Sequence, residues 1–298
     1  MRRLGLSAVV GCLLLAAAPA AAAAPPLQPT GKWVVDFGES HCVAYREYGT
    51  VADPVTFTIK APVFGDSLQV GILTKKNGAS DSAEQLCGTW QVGAGPPLQA
   101  TALTYQGKGA ERHTLLLNLP REQLAPAISA GSASMTMAFD GARSYSFSLP
   151  ALRGVMKVVD ECRTGLRDYW NVEDGMVARM QERLSSAYKR SRKDKEETPP
   201  PADDGKRAKA QLARVFSSND YPGQSLFDGE DGTVAVVLLI DEQGKVADCT
   251  LVKTSGLAAL DAQTCIIIRS RAKYEPATDA KGKPRRDADT AVIRWLIP

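Results

Sequence analysis

Residues 221–298 read YPGQSLFDGEDGTVAVVLLIDEQGKVADCTLVKTSGLAALDAQTCIIIRSRAKYEPATDAKGKPRRDADTAVIRWLIP. A turn-rich entry leads into an apolar run at 233–240, which Asp241-Glu242-Gln243-Gly244 interrupts. A second extended run, 245–253, follows at once, and two β-type runs about a short Gly-containing turn make a hairpin. Beyond Ser255-Gly256, the residues Leu257, Leu260, Thr264, Ile267, Ile268 and Arg271 recur at three- and four-residue steps, the spacing of a helix face. After a loop punctuated by Pro and Gly, the chain returns to an extended run at 288–297. The order is β-β-α-β, and such a sheet needs the helix to cover its face.

The series Y-P, then G-x-V-x-V-x-x-x-I-D-x-x-G-x-V, then S-G-x-x-x-L-D, then P-A and a terminal strand resembles the C-terminal domain of TonB-family proteins. It is carried by Tyr221, Pro222, Gly232, Val234, Val236, Ile240, Asp241, Gly244, Val246, Ser255, Gly256, Leu260, Asp261, Pro276 and Ala277. The resemblance covers about residues 217–298. It implies a domain that captures an extended peptide of an outer-membrane transporter as an added strand, with main-chain hydrogen bonds for affinity and side-chain pockets for selectivity. The last strand would be the edge, with Thr290, Val292, Arg294, Trp295 and Leu296 as the partner-binding residues. Val292, Arg294 and Leu296 alternate with Ala291, Ile293, Trp295 and Ile297, so the two sets face opposite sides. Trp295 reads either as a contact anchor or, at two to one, as core.

Upstream of this stretch the chain is long enough for a further domain, with 298 residues, 44% apolar and 23% charged. The net charge of +3 is too small to imply a nucleic-acid partner. Met1-Arg2-Arg3, an apolar run at 4–18 and a small-residue segment at 19–24 have the form of a cleaved secretory signal. That places the mature chain in the periplasm; an uncleaved inner-membrane anchor is the alternative, and a lipid anchor at Cys12 the lesser one. From 25 to 170 come nine short β-type runs, at 33–37, 42–48, 55–59, 68–73, 87–92, 98–105, 114–119, 135–139 and 145–149, with turn residues between most of them. This spacing predicts an antiparallel sandwich or barrel. A short helix is expected at 121–130. An apolar stripe of Val155, Val158, Val159, Cys162, Leu166 and Tyr169 predicts a closing helix over 151–170.

Residues 171–216 read as a linker, with an amphipathic helix fraying into a charged run that Pro199-Pro200-Pro201 stops, then a short helix at 206–216 capped by Asp203 or Asp204. The fold class is therefore α+β: a β-rich domain with a closing helix at 25–170, a helical charged linker, and a β-β-α-β domain at 217–298.

Export permits disulfides. Cys249 in the hairpin and Cys265 in the helix over it suit a bridge; Cys42 with Cys162 is the second expectation, which leaves Cys87 free. No metal or cofactor is expected. His41 and His113 have no partners at metal-ligand spacing, and no nucleophile, phosphate-loop or zinc motif occurs, so the chain does not read as an enzyme. The leading expectation is a periplasmic protein that takes an envelope partner, such as a TonB-dependent outer-membrane receptor, by strand addition. A membrane-anchored energy transducer, a homodimer through the terminal strand, and a ligand-binding β-rich domain are the alternatives. A short charged linker and a folded domain stand where a transducer has a long Pro-rich spacer.

Overall fold

The structure is a computed structural model of the chain and describes residues 25–65, 67–75, 83–106, 112–172, 174–189 and 205–297. The expected signal at 1–24, Asp203, Asp204 and the charged run from 190 lie outside the described residues.

The nine expected β-runs all form strands: β1 (Val34–Phe37), β2 (Cys42–Gly49), β3 (Pro54–Ala61), β4 (Ser67–Lys75), β5 (Glu84–Val92), β6 (Leu98–Gln106), β7 (Arg112–Pro120), β8 (Ser132–Phe139) and β9 (Tyr145–Pro150). They make one antiparallel sheet in the order β1-β2-β3-β4-β7-β6-β5-β8-β9. The sheet curls, and the segment at 27–30 links its last strand, β9, to β2, the second strand from the other end. Leu27 bridges to Phe147 on β9, and Pro29 to Tyr48 on β2. The leader's main chain hydrogen-bonds both, from Leu27 N–H to the Ser146 carbonyl (2.7 Å) and from Thr30 N–H to the Glu47 carbonyl (2.9 Å). The strand spacing left a sandwich or a barrel open; the structure has one large curled antiparallel sheet, called the barrel below. Its interior is filled by side chains. Tyr48, Phe57, Trp90, Met135 and Phe147 are all buried, and the Phe147 ring centroid lies 4.9 Å from that of Tyr48 and 5.0 Å from that of Phe57.

Helix α1 (Arg121–Ala130) joins β7 to β8, and α2 (Leu152–Tyr169) follows β9. The apolar stripe of α2 buries Leu152, Val155, Met156, Val159, Cys162 and Leu166, and Cys162 is disulfide-bonded to Cys42 on β2. On its polar side, Arg163 donates to the carbonyls of Pro62 (2.6 Å) and Gly65 (3.1 Å), and Arg167 to that of Val63 (3.2 Å), which fixes the β3–β4 loop. Helix α3 (Asp174–Lys189) buries Met176, Val177 and Met180.

Beyond a short helix, α4 (Gly223–Phe227), the expected β-β-α-β unit forms as β10 (Gly232–Ile240), β11 (Val246–Lys253), α5 (Ala258–Arg271) and, after a two-strand ribbon of β12 (Ala277–Thr278) and β13 (Pro284–Arg285), β14 (Asp287–Trp295). The sheet order is β11-β10-β14, all antiparallel. Val234, Val236, Leu238 and Ile240 of β10 lie under α5 together with Leu260, Ile267 and Ile268. Val237 and Leu239, with Ala288 of β14, instead join the apolar core that holds the barrel, α2 and α3. Each of these aliphatic side chains contributes about 1.5–3 kcal/mol by leaving water. The disulfide Cys249–Cys265 ties β11 to α5.

Two expectations are corrected. Residues 206–216 do not form a helix. Lys206 bridges to Thr278 and Lys209 to Glu275, and only a 3₁₀ turn, Leu212–Val215, is helical. Main-chain pairing with a distant strand and an ion pair from Arg207 to Asp287 (2.7 Å) outweigh a modest local helix propensity. Cys87 is not free; it is disulfide-bonded.

Cross-links stabilise chiefly by restricting the unfolded chain, more so for longer loops. The two bridges close separations of 120 and 16 residues. Cys162→Ser is therefore expected to cost about 5 kcal/mol and Cys265→Ser about 3 kcal/mol. Denaturant midpoints of the oxidised proteins read the difference; equal costs would show that loop length does not control it.

Candidate docking edge

In an antiparallel strand each residue directs its N–H and C=O to the same side, and successive residues alternate. On β14, Ala288 N–H donates to Asp287 Oδ1 (2.9 Å) and the Ala288 carbonyl accepts from Arg207 Nη2 (2.5 Å). Thr290 N–H donates to Asp289 Oδ1 (2.7 Å). These groups point away from β10, so by the alternation of the strand positions 288, 290, 292 and 294 turn their main-chain groups to the outer side and their odd-numbered neighbours turn theirs towards β10. Among the described residues no strand lies beyond β14.

The start of this edge is held by a buried ion pair. Asp287 is 1% exposed and also accepts from Ala208 N–H (2.8 Å). Burial pushes its carboxyl up from the ordinary value, against the pull of Arg207, and lowers the Arg207 guanidinium. Neither residue has a recognisable signature in the sequence, because they are eighty positions apart and meet only when 206–209 pairs beside β12.

The residues expected to touch a partner differ in exposure. Thr290 and Trp295 are buried, Val292 is half-buried, and Arg294 and Leu296 are exposed, Leu296 at 68%. Trp295 is core. Its indole N–H donates to Thr264 Oγ1 (2.9 Å), and its ring meets Phe216 and Tyr221 edge-on at 5.9 and 5.3 Å. Leu296 and Ile297 lie just past the end of β14.

Each motif residue has a structural task. Tyr221 Oη donates to the Glu230 carbonyl (2.5 Å), and the Pro222 carbonyl starts α4 by accepting from Leu226 N–H (2.9 Å). A Cβ at Gly232 would come within 2.8 Å of Ser255 Cβ, and one at Gly244 (φ 79°) would collide with the Tyr274 carbonyl, beside Pro276. Asp241 shapes the hairpin turn by accepting from Gln243 and Lys245 N–H groups. Leu260 is fully buried. Asp261, 1% exposed, accepts from Thr254 Oγ1, from Ser255 N–H and Oγ (both 2.8 Å), and from Asn118 Nδ2 of β7 (3.2 Å). Burial pushes its carboxyl up, while these four donors favour the charged form.

The N-terminus of α5 lacks a side-chain cap of its own. The barrel supplies one. Thr101 Oγ1 accepts from Ala258 N–H (2.8 Å) while donating to the Gly256 carbonyl (2.7 Å), and Gln85 Oε1 accepts from Ala259 N–H (2.8 Å). Gln85 Nε2 also donates to Glu230 (3.0 Å). At the opposite end of the seam, Arg286 lies 4.0 Å from the Tyr169 ring centroid and pairs with Glu242 (3.3 Å).

Residues 217–294 match the family described as Gram-negative bacterial TonB protein C-terminal. Over this segment the chain is similar to the C-terminal domain of TonB proteins. The TonB C-terminal domain is a non-enzymatic protein-interaction domain of the cell envelope and spans about a quarter of the chain. No curated protein and no solved structure matches the chain.

Outside the TonB domain, His113 Nε2 shares a hydrogen bond with Thr104 Oγ1 (2.6 Å), and burial lowers its pKa. His41 Nδ1 meets Ser40 Oγ (3.1 Å). Neither lines the shallow cleft of about 620 Å³ beside Arg285 and Arg286 or the cleft of about 180 Å³ at the seam between the barrel and α5. Among the described residues no helix is long and apolar enough to cross a membrane.

Removing a helix cap costs about 1 kcal/mol. Thr101→Ala and Gln85→Ala are each expected to lower the stability of the whole chain by about that amount, read from denaturant midpoints. An unchanged midpoint in the double variant would show that α5 does not depend on the barrel. A second expectation concerns acid. Arg271 donates to both oxygens of Asp220 (2.7 and 2.8 Å) and Ser217 N–H to one (2.7 Å), which holds that carboxyl at about 2 instead of 3.8. The folded-state value is the lower one, so this contribution is complete above pH about 4 and is lost as pH falls towards about 2. Asp220→Asn is expected to remove that segment of the acid-unfolding profile measured by circular dichroism; an unaltered profile would rule the pair out as its source.

Proposed function

We propose that this protein works in the periplasm, where its TonB C-terminal domain docks an envelope partner, an outer-membrane receptor, by adding an extended segment of that partner to β14. The observation that carries the reading is the position of β14 at the edge of a three-stranded antiparallel sheet. An exposed edge offers main-chain donors and acceptors in register, which is the basis of strand-addition recognition. Exposed Leu296 and Ile297 supply apolar surface at the end of that edge. Disulfides support an oxidising compartment. In this reading residues 1–24 are an export signal, 25–170 a β-rich carrier domain, 171–216 the connection and 217–298 the docking domain.

The carrier domain does more than space the dock from its surroundings. Val237, Leu239 and Ala288 share its apolar core, and Thr101 and Gln85 cap α5. The dock is presented in a fixed orientation, with one sheet face against the carrier.

A photo-crosslinking residue at Leu296 of the full chain, expressed in its own envelope, is expected to capture an outer-membrane receptor. The same residue at Val51, fully exposed on the barrel, should not. Equal capture from both positions, or none from Leu296, would overturn the proposal.

A further inference from the structure

The outer side of β14 is not uniform along its length. Both main-chain groups of Ala288 are taken, the N–H by Asp287 and the carbonyl by Arg207, and the Thr290 N–H is taken by Asp289. Asp287 is buried and is itself fixed by Arg207 (2.7 Å) and by the Ala208 N–H, and Asp289 accepts from Tyr274 Oη (3.1 Å), so the groups that close the first half of the edge are held in place. By the alternation of the strand, the next outward pair of main-chain groups belongs to Val292. Side-chain carboxylates that satisfy outward N–H groups compete directly with an incoming strand, in the way charged residues blunt sheet edges.

We infer that β14 accepts an added strand only from the Thr290 carbonyl through Val292 towards Ile297, and that Asp287, Asp289 and Arg207 form a stop that sets the partner's register. The inference rests on the strand-addition reading above and refines it. The occupant is a short extended segment of another protein, with an apolar side chain to meet Leu296. A second copy fits less well. A two-fold pairing centred on Arg294 sets two Arg294 side chains opposite each other across the new pair, an unfavourable like-charge contact.

The arrangement is tested in two steps, the first without any partner. In the partner-free full chain, amide exchange at Ala288 and Thr290 is expected to be at least tenfold slower than at Val292, and Asp289→Ala should release Thr290 selectively. Val292 exchanging as slowly as its neighbours would overturn the inference. The second step uses Val292→Pro, which deletes an outward N–H and leaves the pairing with β10 in place, since Pro is tolerated at edge positions whose N–H faces outwards. With the Leu296 crosslinker and outer-membrane vesicles as the probe, this variant should capture at least tenfold less receptor, while Asp289→Ala captures as much as the parent or more. Undiminished capture by Val292→Pro overturns the register and leaves strand addition standing. Absent capture by the parent overturns the functional reading, and the exchange experiment then decides the stop alone. A concentration-dependent dimer that Val292→Pro abolishes would overturn the choice of occupant.

Discussion

From Val234 to Ile240 every side chain of β10 is buried, the even positions under α5 and Val237 and Leu239 against the barrel side. A strand with two buried faces must be apolar throughout, and VAVVLLI meets that demand. The rest of the C-terminal structure follows from it. β10 occupies the centre of its sheet, so β11 and β14 become the edges. One face needs a helix, which the Cys249–Cys265 disulfide holds in place. The other needs the carrier domain, which supplies α3, the end of α2 and the outer surface of the barrel.

The seam between carrier and dock is polar at its rim and apolar at its centre. Lys60 meets buried Asp248 at 3.5 Å, Asn118 reaches Asp261, and Arg286 stacks on Tyr169. Pairs of this kind add little stability when exposed, yet leaving one partner buried and unmatched is costly. They therefore act mainly on geometry, allowing one way for the two parts to meet. The motif residues belong to the same logic. Asp261, Gly232 and Gly244 are required by close approaches and hydrogen bonds within the fold, and the side chains that define the edge lie elsewhere.

Much of this was legible in the chain. The barrel strands alternate in hydrophobicity with turn residues between them, and that local pattern suffices. The β-β-α-β unit could be read because its turn glycine, its buried aspartate and its helix spacing are all local. Residues 206–216 could not. Their Lys, Ala, Gln, Leu and Arg favour a helix, but pairing with Glu275 and Thr278 is a property of the assembled fold. The closure of the first half of β14 was hidden for the same reason: Arg207 arrives from eighty residues away. The borrowed caps on α5 were equally invisible, since Thr101 and Gln85 look like ordinary strand residues until the barrel meets the helix.

The short leader at 27–30 bears on how the barrel assembles. It bonds to β2, close by in the chain, and to β9, more than a hundred positions away, so the link is complete only once residues far apart in sequence have come together. Closing such a loop costs chain entropy before any pairing repays it. During that interval β9 and the second half of β2, which β1 does not reach, are bare edges open to pairing with other chains. The leader is thus a clasp whose fastening comes late, and the Cys42–Cys162 disulfide, which spans nearly the same length of chain, is the bond able to hold the ends near each other while it does.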